Sequence, residues 1–325
     1  MYTNYGNISL TLAVWLAADD GYDLEYDPRV YSVTTLLQPV RSVVLTRRLK
    51  ANQKAGSVDI SDLVPARLGT AVHTAAEVAW LYSRNKAFMN LGIPSKIAER
   101  IVLNPEKEDD PNAIYVYMEL RKQRKVNDMY VSGKFDFVYE GRVRDIKTTK
   151  TYNWIMGTND EKYAMQGSIY RWLNPKIITD DFVDIEFLFT DWSPLKASID
   201  KDYPQKRIMT RTIPLMSLEN TDIFVKKQLK KLKECIDLIQ ADLPLCTPKE
   251  LWMNPTKYAY YKNLTNKRAT KLYDTAADAN TQMIQDGNKG KVITRMAEPT
   301  FCKYCDARPI CMQAEGYINQ GILKL

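Results

Sequence analysis

The chain has 325 residues, 45% hydrophobic and 26% charged, with a formal net charge of +7. This is the composition of an ordinary soluble globular protein and excludes a disordered or fibrous chain. No apolar run approaches the ~18 residues that cross a bilayer, and the apolar stretch Ile8–Ala18 lacks the basic residues that precede its like in a secretory leader.

In chain order, residues 1 to about 30 form a hydrophobic and then acidic element. Ser32–Lys50 reads as a helix interrupted at Pro39, followed by a polar loop over Gln53–Ser57. Residues 62–104 read as helical, with an alanine-rich helix from about Thr70 that carries the only histidine, His73. His73 and Glu77 are spaced i,i+4 and share a helix face. An acidic turn at Glu106–Pro111 precedes a strand over Ala113–Met118.

Gly133–Thr149 is the most informative stretch. It reads as two short strands joined by a tight turn at Glu140–Gly141, with Asp136 on the first strand and Asp145 and Lys147 on the second. Strand side chains alternate faces, so Asp145 and Lys147 point one way and Ile146 points into the core. Converging carboxylates can hold a hard dication, and an ammonium beside them can orient water or offset charge growing on a phosphate. A charged hairpin facing solvent would show the same triplet.

A helix over about 160–173 follows, with Gln166 and Tyr170 on one face. Strands over Val183–Thr190 and Arg207–Leu215 complete a mixed sheet, and a basic helix spans about 217–241. The remainder holds a further helix over Arg268–Ile284. The pattern implies an α/β fold, a mixed central β-sheet flanked by helices, in three parts: an N-terminal helical element (1–61), a core (62–241) and a cysteine-anchored C-terminal extension (242–325).

The basic excess gathers at Arg41–Lys50, Arg121–Lys125 and Lys226–Lys233. These are solvated faces or a phosphate-tracking surface. Tyr258, Tyr260, Tyr261, Tyr152 and Trp154 are packing residues or platforms for unpaired bases.

Of five cysteines, three cluster as Cys302, Cys305 and Cys311. Gaps this short suit a metal or an iron–sulfur cluster better than disulfides, and either wants a fourth ligand. Cys235 lies in register with apolar helix positions and reads as core, whereas Cys246 follows that helix on a loop and is the expected fourth ligand. Reduced cysteines and no export signal point to the cytoplasm of a bacterium or phage-infected host.

The order Gly69-x-x-x-His73, Asp136, Asp145-x-Lys147, Gln166-x-x-x-Tyr170 resembles the PD-(D/E)XK nucleases, in particular the RecB-like branch. The cysteine triplet is similar to that of the branch's iron–sulfur members, the AddB-type and CRISPR-adaptation nucleases. Those carry a first cysteine upstream of the histidine helix; the matching segment here, Tyr31–Leu45, has none.

The resemblance implies a restriction-endonuclease-like core and a divalent-metal-dependent deoxyribonuclease. His73, Asp136, Asp145 and the Ile146 carbonyl would bind Mg2+ or Mn2+, with Glu77 behind the histidine. Lys147 would position the nucleophile, while Gln166 and Tyr170 brace it or touch DNA. It implies a 4Fe–4S cluster, with Zn2+ the alternative, on Cys302, Cys305 and Cys311, for which Cys246 is the expected fourth ligand in place of the family's upstream cysteine. The layout looks like phage-type standalone exonucleases that process DNA ends in recombination or repair, alone or recruited by a recombination or replication protein. Two alternatives stay open: a non-catalytic DNA-binding or assembly subunit of nuclease fold, and a zinc-dependent interaction protein whose tail is the working part.

Overall fold

The computed structural model describes residues 2–18, 27–51 and 58–324. In chain order run strand β1 (Val30–Ser32), helix α1 (Val40–Ala51), helix α2 (Val64–Val78), and strands β2 (Ile101–Leu103), β3 (Ile114–Met118), β4 (Arg121–Val126), β5 (Met129–Lys134), β6 (Phe137–Tyr139) and β7 (Arg142–Thr149). Helix α3 (Asp160–Leu173), strands β8 (Phe182–Phe189) and β9 (Ile208–Pro214), and helix α4 (Leu218–Cys235) follow. Strands β10 (Lys257–Tyr261) and β11 (Lys271–Tyr273), helix α5 (Ala276–Gln285), strand β12 (Lys291–Arg295) and helix α6 (Met312–Asn319) end the series. The chain divides into two compact units, residues 1–37 with 57–230 and residues 38–56 with 231–325.

The first unit is built on a six-stranded mixed sheet, β9-β8-β7-β6-β3-β2, in which β7 and β8 are parallel. This is the mixed α/β class that the sequence implies. Strand β8 turns Val183, Ile185, Phe187 and Phe189, all buried, to one face, while its other face carries the buried Asp184, paired with Arg144, and Glu186. Tyr163 of α3 packs edge-on against Phe187. The β6–β7 turn falls at Glu140–Gly141 as expected, both at positive φ (53° and 73°), the twist that a two-residue hairpin favours.

Strand β5 pairs instead with β1 and β4 in a separate three-stranded sheet. The chain changes sheet between Lys134 and Phe137, so Asp136 lies at the bend and not on a strand as expected. Just before this crossing Gly133 packs closely under its neighbours: a Cβ there would sit 2.7 Å from both Leu173 Cδ1 and Val33 Cγ2.

Other expectations shift too. Helix α2 begins at Val64, with Pro65 in its first turn, where a missing N–H is harmless. Ile101–Leu103 pairs with β3 as a strand and does not continue the helix. Helix α4 ends at Cys235, short of 241. Arg268–Ile284 is not one helix: Lys271–Tyr273 joins a sheet of order β11-β10-β12, and Thr275 caps α5 by accepting from Asp278 N–H. The Gln53–Ser57 loop and residues 19–26 of the acidic element lie outside the described residues. Among the described residues no helix is long and apolar enough to cross a membrane.

Candidate active site

Asp136 takes its position from an unfinished ladder. Pairing of β6 with β7 stops at Phe137–Arg144, and the next inward N–H, that of Ile146, donates to Asp136 Oδ2 at 2.8 Å. The carboxylate thereby replaces a strand, and its other oxygen, Oδ1, lies 3.2 Å from His73 Nδ1 on α2. Ile146 packs on the α2 side with Ala76 and Trp80, while Asp145 and Lys147 point to the opposite face and form an ion pair. Tyr163 of α3 lies over the lysine, 5.8 Å from ring centre to Nζ.

A third group completes the cluster. Glu119, in the turn after β3, sits at φ 53°, a conformation disfavoured for a side chain of its size. It is held there by its own N–H, which donates to Asp136 O at 3.0 Å, and by the Asn104 side-chain amide, which bonds Met118 N–H and C=O beside it. One ligand atom each from His73, Glu119 and Asp136 fall within 4.8 Å of one another, a set able to hold a divalent metal ion. Glu119 also ion-pairs with Lys134.

Electrostatics mark the same spot. Burial pushes the Asp145 carboxyl up, against the pull of Lys147. Its Oδ2 is fully buried and, among the described residues, is met only by the Lys147 ammonium. Burial would lower the Lys147 ammonium, but the Asp145 and Asp136 carboxylates outweigh it and hold it up. The hydrogen bond to Asp136 raises His73, with burial opposing. A carboxylate so poorly satisfied, beside a histidine and two further carboxylates, fits a bound dication.

Of the predicted residues, the structure brings together His73, Asp136, Ile146, Asp145 and Lys147. Gln166 donates to Tyr170 OH at 3.0 Å on the face of α3 that also carries Tyr163. Glu77 makes no hydrogen bond or ion pair among the described residues, so the histidine's partner is Asp136 and not Glu77. Sequence reasoning missed Glu119 and Tyr163. An acidic residue directly after an apolar strand, and an aromatic one turn before Gln166, were the available signals.

The second unit gathers the other predicted set. Cys246, Cys302, Cys305 and Cys311 line one cavity of about 20 Å³, and Cys235 does not. Gln313 ties the Cys246 loop to α6 by accepting from Cys246 N–H and donating to its carbonyl (2.8 and 3.0 Å). Burial pushes the Cys246 thiol up to about 12 and Cys302 to about 11. The four thiols are soft donors on one cavity wall, although among the described residues no three of their sulfurs lie within 4.8 Å of one another; a metal or cluster held there would take up their thiolate forms. Helix α1, from the segment without a cysteine, brings Arg41 and Ser42 to two of the sulfurs. Arg41 is therefore buried and no part of a solvated basic face. Tyr260 and Tyr261 are also buried, so neither offers a ring to a base, whereas Tyr152 is exposed.

No family model and no curated protein matches the chain. Among solved structures it is similar to SSO0001, at 15% identity and a TM-score of 0.42 over 68% of this chain and 86% of that one. It is also similar to a phage-related exonuclease from Haemophilus somnus 129PT, at 16% identity and a TM-score of 0.26. That match covers 40% of this chain and 63% of the exonuclease.

Proposed function

We propose that the chain is a divalent-metal-dependent deoxyribonuclease acting on DNA ends. The observation that carries this reading is the convergence of His73, Glu119 and Asp136 beside the buried Asp145–Lys147 pair. His73, Glu119, Asp136, Asp145 and the Ile146 carbonyl would hold one or two Mg2+ or Mn2+ ions. When bound, such an ion supplies Lewis acidity toward a phosphoryl oxygen and a lowered pKa for water.

The chain's own residues do the rest. Lys147, kept protonated by two carboxylates, offsets negative charge growing on the phosphate and orients the attacking water. The Tyr163 ring lies beside its ammonium, 5.8 Å from ring centre to Nζ. Gln166 and Tyr170 brace this face of α3 or contact the DNA backbone. Strand β4, Arg121–Lys125, is exposed along its length and offers positive charge to a polyanion. Cys246, Cys302, Cys305 and Cys311 would hold zinc or a 4Fe–4S cluster, whose binding energy becomes folding energy for the second unit.

The test is digestion of end-labelled single-stranded, linear duplex and closed circular DNA with Mn2+, wild type beside Lys147→Met. Lys147-dependent loss of the linear substrates alone supports an end-processing exonuclease. Cutting of circles redirects the reading to an endonuclease. No Lys147-dependent cleavage on any substrate refutes catalysis.

A further inference from the structure

Arg41 presents an unbalanced charge. It lies in the first turn of α1 and is only 3% exposed. Its guanidinium donates to three neutral oxygens, Gln240 O at 3.3 Å, Leu243 O at 3.0 Å and Gln240 Oε1 at 3.3 Å, and its Nε reaches Cys311 Sγ at 3.4 Å. Among the described residues it has no carboxylate partner. Burying a cation without an anion is strongly unfavourable, and carbonyl dipoles offset only part of that cost.

Among the described residues the candidate anion is the sulfur cluster. Four thiolates around a zinc dication leave a surplus of two negative charges, and so do four thiolates around a doubly charged iron–sulfur core. The neighbouring side chain supplies a second contact of the same kind, Ser42 Oγ to Cys305 Sγ at 3.2 Å. Donors that touch ligand atoms in this way fix the ligands and spread their charge.

We infer that Arg41 is the built-in counter-charge of a thiolate-held metal centre, with Ser42 as a second donor to it. This rests on the reading that the four cysteines hold a metal. Arg41 is a positioning residue in this role, acting on the metal through Cys311. One consequence separates it from ordinary packing. Without a bound metal the buried guanidinium has no carboxylate partner among the described residues and is a burden; in the loaded protein the surplus negative charge of the thiolate-held metal makes it an asset. Removing the charge therefore has opposite signs in the two states.

The experiment compares wild type, Arg41→Gln and Arg41→Lys as full chains. It measures iron and zinc content, the rate of metal loss to a chelator, and Tm with and without metal. Arg41→Gln is expected to lose metal about tenfold faster, the scale seen when a donor to a metal ligand is removed. Its Tm should fall below wild type when loaded and match or exceed it when metal-free. Arg41→Lys keeps the charge with fewer bonds and should retain metal nearly as wild type does. Equal retention by Arg41→Gln, a parallel fall of both Tm values, or loss from Arg41→Lys as fast as from Arg41→Gln overturns the inference. Wild type holding neither metal overturns the cysteine reading itself, a result visible before any variant is made.

Discussion

Replacing Lys147 with methionine keeps a long, unbranched side chain and removes the charge. Asp145 then stays buried, 5% exposed, with nothing of opposite charge on its Oδ2. Removing one partner of a buried pair typically costs about 3–5 kcal/mol. The carboxyl can escape by taking up a proton, which for a group of ordinary pKa near 3.9 costs about 4 kcal/mol at pH 7 and about 1.5 kcal/mol at pH 5. Those figures cap the penalty. The Lys147 side chain is itself 26% exposed and partly screened, so about 2–4 kcal/mol is expected at pH 7.

The sign follows from the direction of the shift. The folded state already raises the Asp145 carboxyl, so its ionisation opposes folding above the unfolded value near 4. The variant's deficit should grow from pH 5 to pH 7 and fade in more acid solution. Urea unfolding followed by tryptophan fluorescence, at both pH values, reads it directly. Millimolar Mg2+ should recover much of the loss, because a dication replaces the missing charge. Equal stability of variant and wild type at pH 7, or a deficit that ignores pH and Mg2+, would refute the reasoning.

Three further outcomes are expected. Glu119→Gln should weaken Mn2+ binding by about tenfold in calorimetric titration, while Glu77→Gln leaves it unchanged; the reverse order would return the role to Glu77. Gly133→Ala should cost about 1–3 kcal/mol through the clash with Leu173 and Val33, whereas Gly69→Ala, with nothing within 4 Å of the new methyl, should gain roughly 0.5–1 kcal/mol in thermal unfolding. Cys246→Ser should lower bound metal and Cys235→Ser should not, as elemental analysis will show.

Much of the site was legible because its spacing obeys local geometry. Asp145 and Lys147 share a strand face by the two-residue period, and Gln166 and Tyr170 share a helix face by the four-residue one. Cys246 could be placed because it alone among the remaining cysteines lies off the helix register. What the sequence hid depends on contacts far along the chain. Glu119 reaches the cluster only because the chain leaves one sheet at Lys134 and enters another at Phe137, a crossing that continuous β-type residues do not announce. The sheet of β10, β11 and β12 was missed because its strands are short and rich in lysine, and α5 follows β11 so closely that the two read as one helix. Arg41 looked like part of a basic face; only tertiary packing puts it beside Cys311.

The most direct test of the central claim is cleavage of a 5′-labelled linear duplex across a Mn2+ titration, wild type beside Asp136→Asn. The Asp136 carboxylate joins the histidine to the strand backbone, and its main-chain carbonyl holds the Glu119 turn, so the cluster is centred on this residue. Metal-dependent cleavage by wild type that disappears in Asp136→Asn is the predicted result. Cleavage that persists in a chelator, or that Asp136→Asn performs at the wild-type rate, would contradict it.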